Sequence, residues 1–278
     1  MKGFYIYNGG LLTPKFIEIR DLFVQAFARR GVFLQPMTND EAWLKEDFPS
    51  DSFCLFYDKD IPLCCKLEKS MPVFNSASSI ALCDDKCLTA SALSGRVKMP
   101  KQICAPLRFF GSVPDSFLEE AISLLGLPIV VKGAKGSFGA QIALCRTKEE
   151  LFAFCKRLGE APFLLQEYVE AGGRDARIYV VDGKVFASFA RQAREGDFRA
   201  NVTNGGSMLV YEPTEREKRL AIEACKGVGA LFAGVDLIPA EDPVLLEVNS
   251  NAHFKNLLDF TSLSYADAVA DCILRKLS

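Results

Sequence analysis

A pair of apolar runs near the C-terminus constrains the fold of this chain more than any other feature. Residues 234–240 and 244–249 are separated by a turn at 240–243 that contains Asp242 and Pro243, which is typical of a β-hairpin. Pairing across this turn sets Asp236 opposite Glu247. The sequence therefore predicts a hairpin that carries two facing carboxylates on an otherwise apolar ladder.

Facing carboxylates repel each other and should destabilise the sheet. Because side chains alternate along a strand, Asn249 shares the face of Asp236 and Glu247. Carboxylate and amide oxygens are suitable ligands for Mg²⁺, which keeps further positions for water and phosphate oxygens and would remove the repulsion. We therefore expect Asp236, Glu247 and Asn249 to bind a metal; the alternative is an exposed sheet face with solvated acids.

A glycine-rich loop follows a second apolar strand, predicted at residues 128–132. The stretch 132–139 contains three glycines and two lysines, among them Lys132 and Gly136. Glycines let backbone N–H groups approach phosphates, and lysines supply positive charge. The spacing is not that of a P-loop, and the next element, at 141–145, resembles a strand. This pattern predicts a phosphate site, with an unliganded hairpin loop as the alternative.

Three arginines, Arg191, Arg194 and Arg199, lie within residues 191–201, next to a turn at 204–206. Arginine holds anionic oxygens in a bidentate manner. A cluster of this kind is also common in solvated loops, so it indicates anion binding only together with the other two features.

The composition excludes several classes of protein. The chain has 278 residues, of which 49% are hydrophobic and 24% charged, with a net charge of −2. Such a chain is globular rather than disordered, and it is not basic enough to bind nucleic acid through bulk charge. It contains no apolar run long enough to span a membrane and no signal-peptide pattern near Met1. We expect a cytoplasmic protein without nucleic-acid or membrane partners, with its ten cysteines reduced.

The predicted helices and strands place the chain in the mixed α/β (α+β) class. Residues 1–82 form an open α/β unit, 83–165 a second unit and 166–278 a third unit rich in hairpins. Among the predicted elements are helices at 82–93 and 114–125, and a helix that starts after Thr214 and runs to about Leu231.

Several ordered motifs resemble the RimK-type ligases of the ATP-grasp superfamily over residues 75–275. They are Gln166-Glu167-Tyr168-Val169, Asp175-Ala176-Arg177, Arg194-Glu195-Gly196-Asp197-Phe198-Arg199-Ala200-Asn201, Gly234-Val235-Asp236 and Glu247-Val248-Asn249. The resemblance implies an ATP-grasp fold, in which an N-terminal α/β subdomain is followed by two α+β subdomains that clamp ATP.

The resemblance also implies a role for each matching position. Asp236, Glu247 and Asn249 match the ligands of Mg²⁺, for which Mn²⁺ can substitute. Arg191, Arg199 and Asn201 match catalytic positions around the transferred phosphate. The expected nucleotide contacts, including those from the glycine-rich loop, are Lys86, Lys132, Gly136, Ser137, Gln166, Glu167, Tyr168 and Asp175.

The reaction that the resemblance implies is phosphoryl transfer from ATP to a carboxylate, followed by attack of an amine to form an amide. The expected partners are a small-molecule or peptide carboxylate and an amino acid or other amine; a homo-oligomer is left open. The alternatives are an ATP-grasp kinase acting on a hydroxyl and a catalytically silent ATP-binding protein.

The sequence departs from the family pattern at residues 250–256, which should border the carboxylate acceptor, so the identity of that acceptor does not carry over from relatives. His253 in this loop is interpreted either as a substrate contact or base, or as a residue without a role. We expect the N-terminal unit, including Asn8, Gly9, Gly10, Asp58 and Asp60, to take part in substrate selection.

Overall fold

The computed structural model describes residues 2–136, 141–194 and 206–278. Its first sheet is parallel, with strand order β2-β1-β3-β4, and β3 is buried along its whole length. The elements of this part are β1 (Lys2–Tyr7), α1 (Pro14–Ala28), β2 (Phe33–Thr38), α2 (Asn39–Leu44), β3 (Ser52–Tyr57), α3 (Ile61–Glu68), β4 (Val73–Phe74) and α4 (Ala77–Asp84).

A second sheet lies in the middle of the chain and is antiparallel, with strand order β5-β8-β6-β7. Helices α6 and α7 pack on it and form a core of their own with its strands. The elements are α5 (Lys86–Leu93), β5 (Gln102–Cys104), α6 (Asp115–Leu125), β6 (Ile129–Gly133), β7 (Ile142–Cys145), α7 (Lys148–Leu158) and β8 (Phe163–Glu167).

The third sheet is antiparallel, with strand order β11-β10-β9-β12-β13, and contains the predicted hairpin as β12 and β13. The elements are β9 (Arg174–Val181), β10 (Lys184–Gln192), β11 (Ser207–Val210), α8 (Glu215–Gly227), β12 (Phe232–Ile238), β13 (Val244–Asn249), α9 (Lys255–Thr261) and α10 (Tyr265–Leu277).

Two helix predictions were wrong in their bounds. The helix expected at 82–93 is two helices, because Asp85 is extended and its carboxylate accepts hydrogen bonds from the backbone of Cys87 and Leu88, which begins α5 as a new helix. Helix α8 ends at Gly227, short of the predicted residue 231, just before Gly229 adopts a φ of +69°.

The N-terminal and C-terminal units share one hydrophobic core. Aromatic rings from both meet in it, as in the pair Phe23 and Phe254, whose ring centroids are 5.2 Å apart. The predicted boundary at 82/83 falls inside α4 and that at 165/166 inside β8, so the three-unit division stays a prediction. All ten cysteines are free. None of the described helices has the length and apolar character needed to cross a bilayer.

Candidate functional site

A cavity of about 460 Å³ is lined by residues of all three predicted units. Eleven of the fourteen predicted site residues line it, and the remaining three, Ser137, Arg199 and Asn201, lie outside the described residues. The eleven are Lys86, Lys132, Gly136, Gln166, Glu167, Tyr168, Asp175, Arg191, Asp236, Glu247 and Asn249. Their individual roles stay predictions, but the structure brings them together around one space.

The hairpin has the predicted register. Asp236 pairs with Glu247 and Gly234 with Asn249, so the two acids and the amide lie on the same face. A shift in the register follows directly, between Asp236 and Leu237. The predicted metal ligands thus lie where the pairing becomes irregular, at the wall of the cavity.

Arginines on the neighbouring strands bind Asp236. Arg177 on β9 donates from Nε and Nη2 to its two carboxylate oxygens, each at 2.6 Å, and Nη2 of Arg191 on β10 lies 3.1 Å from Oδ2. Burial alone would raise the pKa of Asp236, but these guanidinium groups outweigh it and hold the pKa at about 2. Repulsion from Glu247 therefore does not by itself require a cation, because the arginines already offset it.

Arg191 also binds Asp175, which lies opposite it in the strand pair. The guanidinium donates to both carboxylate oxygens, at 2.6 and 2.7 Å. Burial raises the pKa of Asp175 against the opposing effect of Arg191. Arg191 is only 7% exposed and is thus a buried residue of β10 rather than part of an arginine-rich loop. Its guanidinium joins Asp175, a predicted nucleotide contact, to the predicted metal site.

The donor set fits a hard divalent cation. The side chain of Glu247 has no hydrogen bond or ion pair with another described residue. Asn249 would supply its amide oxygen, and its Nδ2, a donor, is buried without a partner and is free to bind a phosphate or water oxygen. Within the described ranges no group of three or more His, Cys, Asp and Glu side chains is placed to hold a metal, so the amide of Asn249 is needed as the third ligand. A bound cation would share Asp236 with the arginines.

Two lysines meet the glycine-rich segment from different elements. Lys132 ends the apolar run of β6, and burial lowers its pKa to about 8. Lys86 begins α5; its backbone N–H donates to Ala134 O at 2.9 Å and its Nζ to Gly136 O at 3.3 Å. Gly136 has a φ of +123°, a conformation that favours glycine. Both ammonium groups can reach anions in the cavity.

Gln166 and Glu167, two of the predicted nucleotide contacts, end strand β8. Glu167 is tied to Lys101 by its backbone N–H, which donates to Lys101 O at 2.9 Å, and by its carboxylate, which accepts from Lys101 N at 2.7 Å. Nε2 of Gln166 donates to Gln102 Oε1 at 3.0 Å. These contacts fix the chain where it passes from the second sheet to the third.

The loop that departs from the family pattern is held by hydroxyl groups from two sheets. Tyr57 donates to Ala252 O at 2.6 Å, and Tyr179 donates to His253 O at 2.8 Å. Burial lowers the pKa of His253 to about 3, so the imidazole is neutral at pH 7. The loop is therefore a fixed part of the cavity wall.

Arg177, Asn251 and Lys15 line the cavity, although the sequence predicted no role for them. Gly9, Gly10 and Asp60, which we expected to take part in substrate selection, are not among the lining residues. Asp60 caps α3 by accepting from Leu63 N, and its other oxygen accepts from Trp43 Nε1. Two signals in the sequence could have identified Arg177: its place in the motif Asp175-Ala176-Arg177, and alternation along β9, which puts it on the face of Asp175.

Comparison with known proteins agrees with this geometry. The model of the RimK-like ATP-grasp domain matches residues 105–273. A probable alpha-L-glutamate ligase of Coxiella burnetii (strain Dugway 5J108-111) is 34% identical over 204 residues, covering 72% of this chain and 66% of that relative.

Two solved structures are similar across nearly the whole chain. The RimK domain protein of Sphaerobacter thermophilus has a TM-score of 0.73 at 18% identity and 98% coverage of both chains. The D-alanine–D-alanine ligase of Bacillus anthracis complexed with ATP has a TM-score of 0.76 at 17% identity, covering 100% of this chain and 98% of the other. The chain has the ATP-grasp fold and belongs to the RimK-like ATP-grasp family.

Proposed function

We propose that this protein is an ATP-dependent carboxylate–amine ligase that forms an amide through an acyl-phosphate. The observation that carries the proposal is the convergence of eleven predicted site residues on one cavity. Family membership supports the use of ATP and a divalent metal, and the names of the relatives support a ligase.

The reaction brings an anionic phosphoryl group to an anionic acceptor, so positive charge must lie between them. Lys86 and Lys132 are placed to bind phosphate oxygens on the side of the glycine-rich segment. Arg191 lies on β10 in the third sheet, where it holds Asp175 and Asp236 in fixed positions. Such preorganised charges lower the barrier because they need no reorganisation during the transfer.

Asp236, Glu247 and Asn249 would hold the metal, which when bound neutralises charge on the transferring phosphate. Their oxygen donors favour Mg²⁺, and Mn²⁺ would fit the same set. The carboxylate of Glu247 is the ligand least engaged by the protein, and we assign it the largest share of metal affinity.

L-Glutamate is the amine that we propose first, because the similar relatives carry the name alpha-L-glutamate ligase. A small-molecule or peptide carboxylate would be the acceptor. Since the reaction consumes ATP, we also propose a cytoplasmic location.

The test measures ADP and phosphate release with Mg-ATP over a panel of amino acids, peptides and small carboxylates, with mass spectrometry of the products. We expect ADP and phosphate to rise together and a product to appear that is lighter by one water than its two substrates. ADP with a phosphorylated product would instead establish a kinase. ATP binding without turnover on any pair would contradict the ligase.

A further inference from the structure

Buried polar atoms without partners are concentrated in the cavity. Six such side-chain atoms occur among the described residues, and the four that line the cavity belong to Asp58, Asn249, Asn251 and His253. Because buried polar groups in folded proteins are almost always hydrogen-bonded, this concentration indicates that a bound molecule supplies the missing partners. Asn249 belongs to the predicted metal site, and the other three residues lie outside it.

The Asp58 side chain has one satisfied and one unsatisfied oxygen. Its Oδ1 accepts hydrogen bonds from Asn8 Nδ2 at 3.2 Å and from the Lys59 backbone N–H at 2.6 Å. Its Oδ2 has no partner, although the residue is only 6% exposed. The two donors fix the orientation of the carboxylate, so Oδ2 is held in one place as an uncompensated acceptor.

Asn251 presents a second acceptor and is linked directly to Asp58. Its Nδ2 donates to the backbone oxygen of Asp58 at 2.8 Å, which identifies Oδ1 as the unpartnered atom. The cavity lining thus contains one carboxylate and one neutral acceptor on two residues that contact each other, and a donor with positive charge would satisfy both. A metal would need further ligands, and the described part of the chain offers no group of three His, Cys, Asp and Glu side chains here. A primary ammonium, with three N–H donors, matches both acceptors.

We propose that Asp58 and Asn251 bind the protonated amino group of an amino-acid substrate. This inference rests on the proposed ligase function and specifies how its substrate is recognised. The carboxylate of Asp58 forms the ion pair and, where this amino group is the nucleophile, takes the proton that the nitrogen must lose before it attacks. The amide oxygen of Asn251 accepts a second N–H; a quaternary nitrogen has none, and an acylated nitrogen is uncharged and has only one, so neither satisfies both acceptors.

The matched variants are Asp58→Asn and Asp60→Asn. Asp58→Asn keeps an oxygen for the two donors that hold Oδ1 and replaces Oδ2 with an amide NH₂, which repels an ammonium. Asp60→Asn removes the same charge two residues away, outside the cavity, and asparagine also caps a helix well. The full chain would be saturated with Mg²⁺ and a non-hydrolysable ATP analogue and titrated by calorimetry with L-glutamate and the other standard amino acids. The affinity of each amino acid would be compared with that of its des-amino acid, beginning with glutarate.

We expect at least one amino acid to bind about 10- to 100-fold more tightly than its des-amino acid, both to the wild type and to Asp60→Asn. Asp58→Asn should lose this preference. The wild-type comparison does not depend on the folding of any variant. Equal binding of the des-amino acids, no binding of any amino acid, or an Asp58→Asn protein that behaves like Asp60→Asn would overturn the proposal. Amide formation without this preference would leave the ligase intact and refute only the subsite. Amino-acid binding that depends on Asp58, without any amide product, would refute only the ligase.

Discussion

Replacing Arg177 with methionine should lower the free energy of unfolding by about 3–5 kcal/mol at pH 7, the usual cost of leaving one partner of a buried ion pair alone. Arg177 is the main partner of Asp236, with two contacts of 2.6 Å. Without it Asp236 retains only Arg191 at 3.1 Å, and that guanidinium already holds Asp175. Methionine fills a similar volume, so the loss is one of charge and hydrogen bonds.

The pKa of Asp236 gives a second measure of this interaction. A pKa of about 2, against an ordinary value of 3.8, corresponds to about 2 kcal/mol of stability. Because the folded pKa is the lower one, this contribution is complete above pH 4 and is lost as the pH falls through 2. This contribution of about 2 kcal/mol is the attraction of Asp236 by the arginines minus the cost of burying its carboxylate, and that cost remains when Arg177 is removed. The loss in the variant should therefore exceed 2 kcal/mol.

Urea unfolding followed by circular dichroism, in EDTA and in millimolar MgCl₂, would test this prediction. Arg174→Met is the matched control, because Arg174 lies at the exposed start of the same strand. Among the described residues, the side-chain contact given for it is with the ring of Tyr211. This substitution should lower the free energy of unfolding by less than about 1 kcal/mol. Mg²⁺ should stabilise Arg177→Met more than the wild type, since the uncompensated carboxylate is a predicted metal ligand. A variant as stable as the control in EDTA would refute the charge argument, and an equal response to Mg²⁺ would refute its link to the metal site.

Three further predictions concern the same cavity. Glu247→Gln should lower kcat at least about 100-fold at saturating Mg-ATP while leaving the melting temperature in EDTA unchanged, and full activity would end the metal assignment. Lys132→Ala should weaken ATP binding about 10- to 100-fold by calorimetry. Burial lowers the pKa of Lys132 to about 8, so the ATP affinity of the wild type should also fall between pH 7 and 9 as the lysine loses its proton. The ATP affinity of the variant should not change over that range. If the substitution leaves ATP affinity unchanged, Lys132 points elsewhere. Tyr57→Phe leaves Ala252 O without its hydroxyl donor and should raise the KM of the amino-acid substrate but not that of ATP, and parallel changes in both would contradict a local effect.

The fold and the nucleotide side of the site could be predicted because their signals are local. The hairpin register follows from one turn and two apolar runs, and it placed Asp236, Glu247 and Asn249 correctly on one face. The family motifs are likewise continuous stretches of sequence. The error at Asp85 was also local, because an aspartate inside an apolar helical pattern can cap a new helix as well as continue the old one.

The arginine contacts of Asp236 could not be predicted in the same way. They require β9 to lie between β10 and β12, a strand order that no turn sequence specifies. Only in that order does Arg177 pair directly with Asp236, while Arg191 pairs with Asp175. Charge compensation within a sheet therefore depends on strand order. From the sequence we expected a metal alone to neutralise Asp236, whereas in the structure Arg177 and Arg191 neutralise part of its charge.

The substrate side depends on contacts that are longer still. Asn251 reaches Asp58 across 193 positions and Tyr57 reaches Ala252 across 195, so the parallel sheet of the N-terminal unit and the loop after β13 build one wall together. The family model matches residues 105–273 and thus contains only one half of that wall. Relatives can therefore share every nucleotide motif and still differ in what they ligate, because the N-terminal half can change without altering those motifs. In this chain the proposed amino-group site has one residue in each half of that wall, Asp58 in the N-terminal unit and Asn251 in the loop after β13.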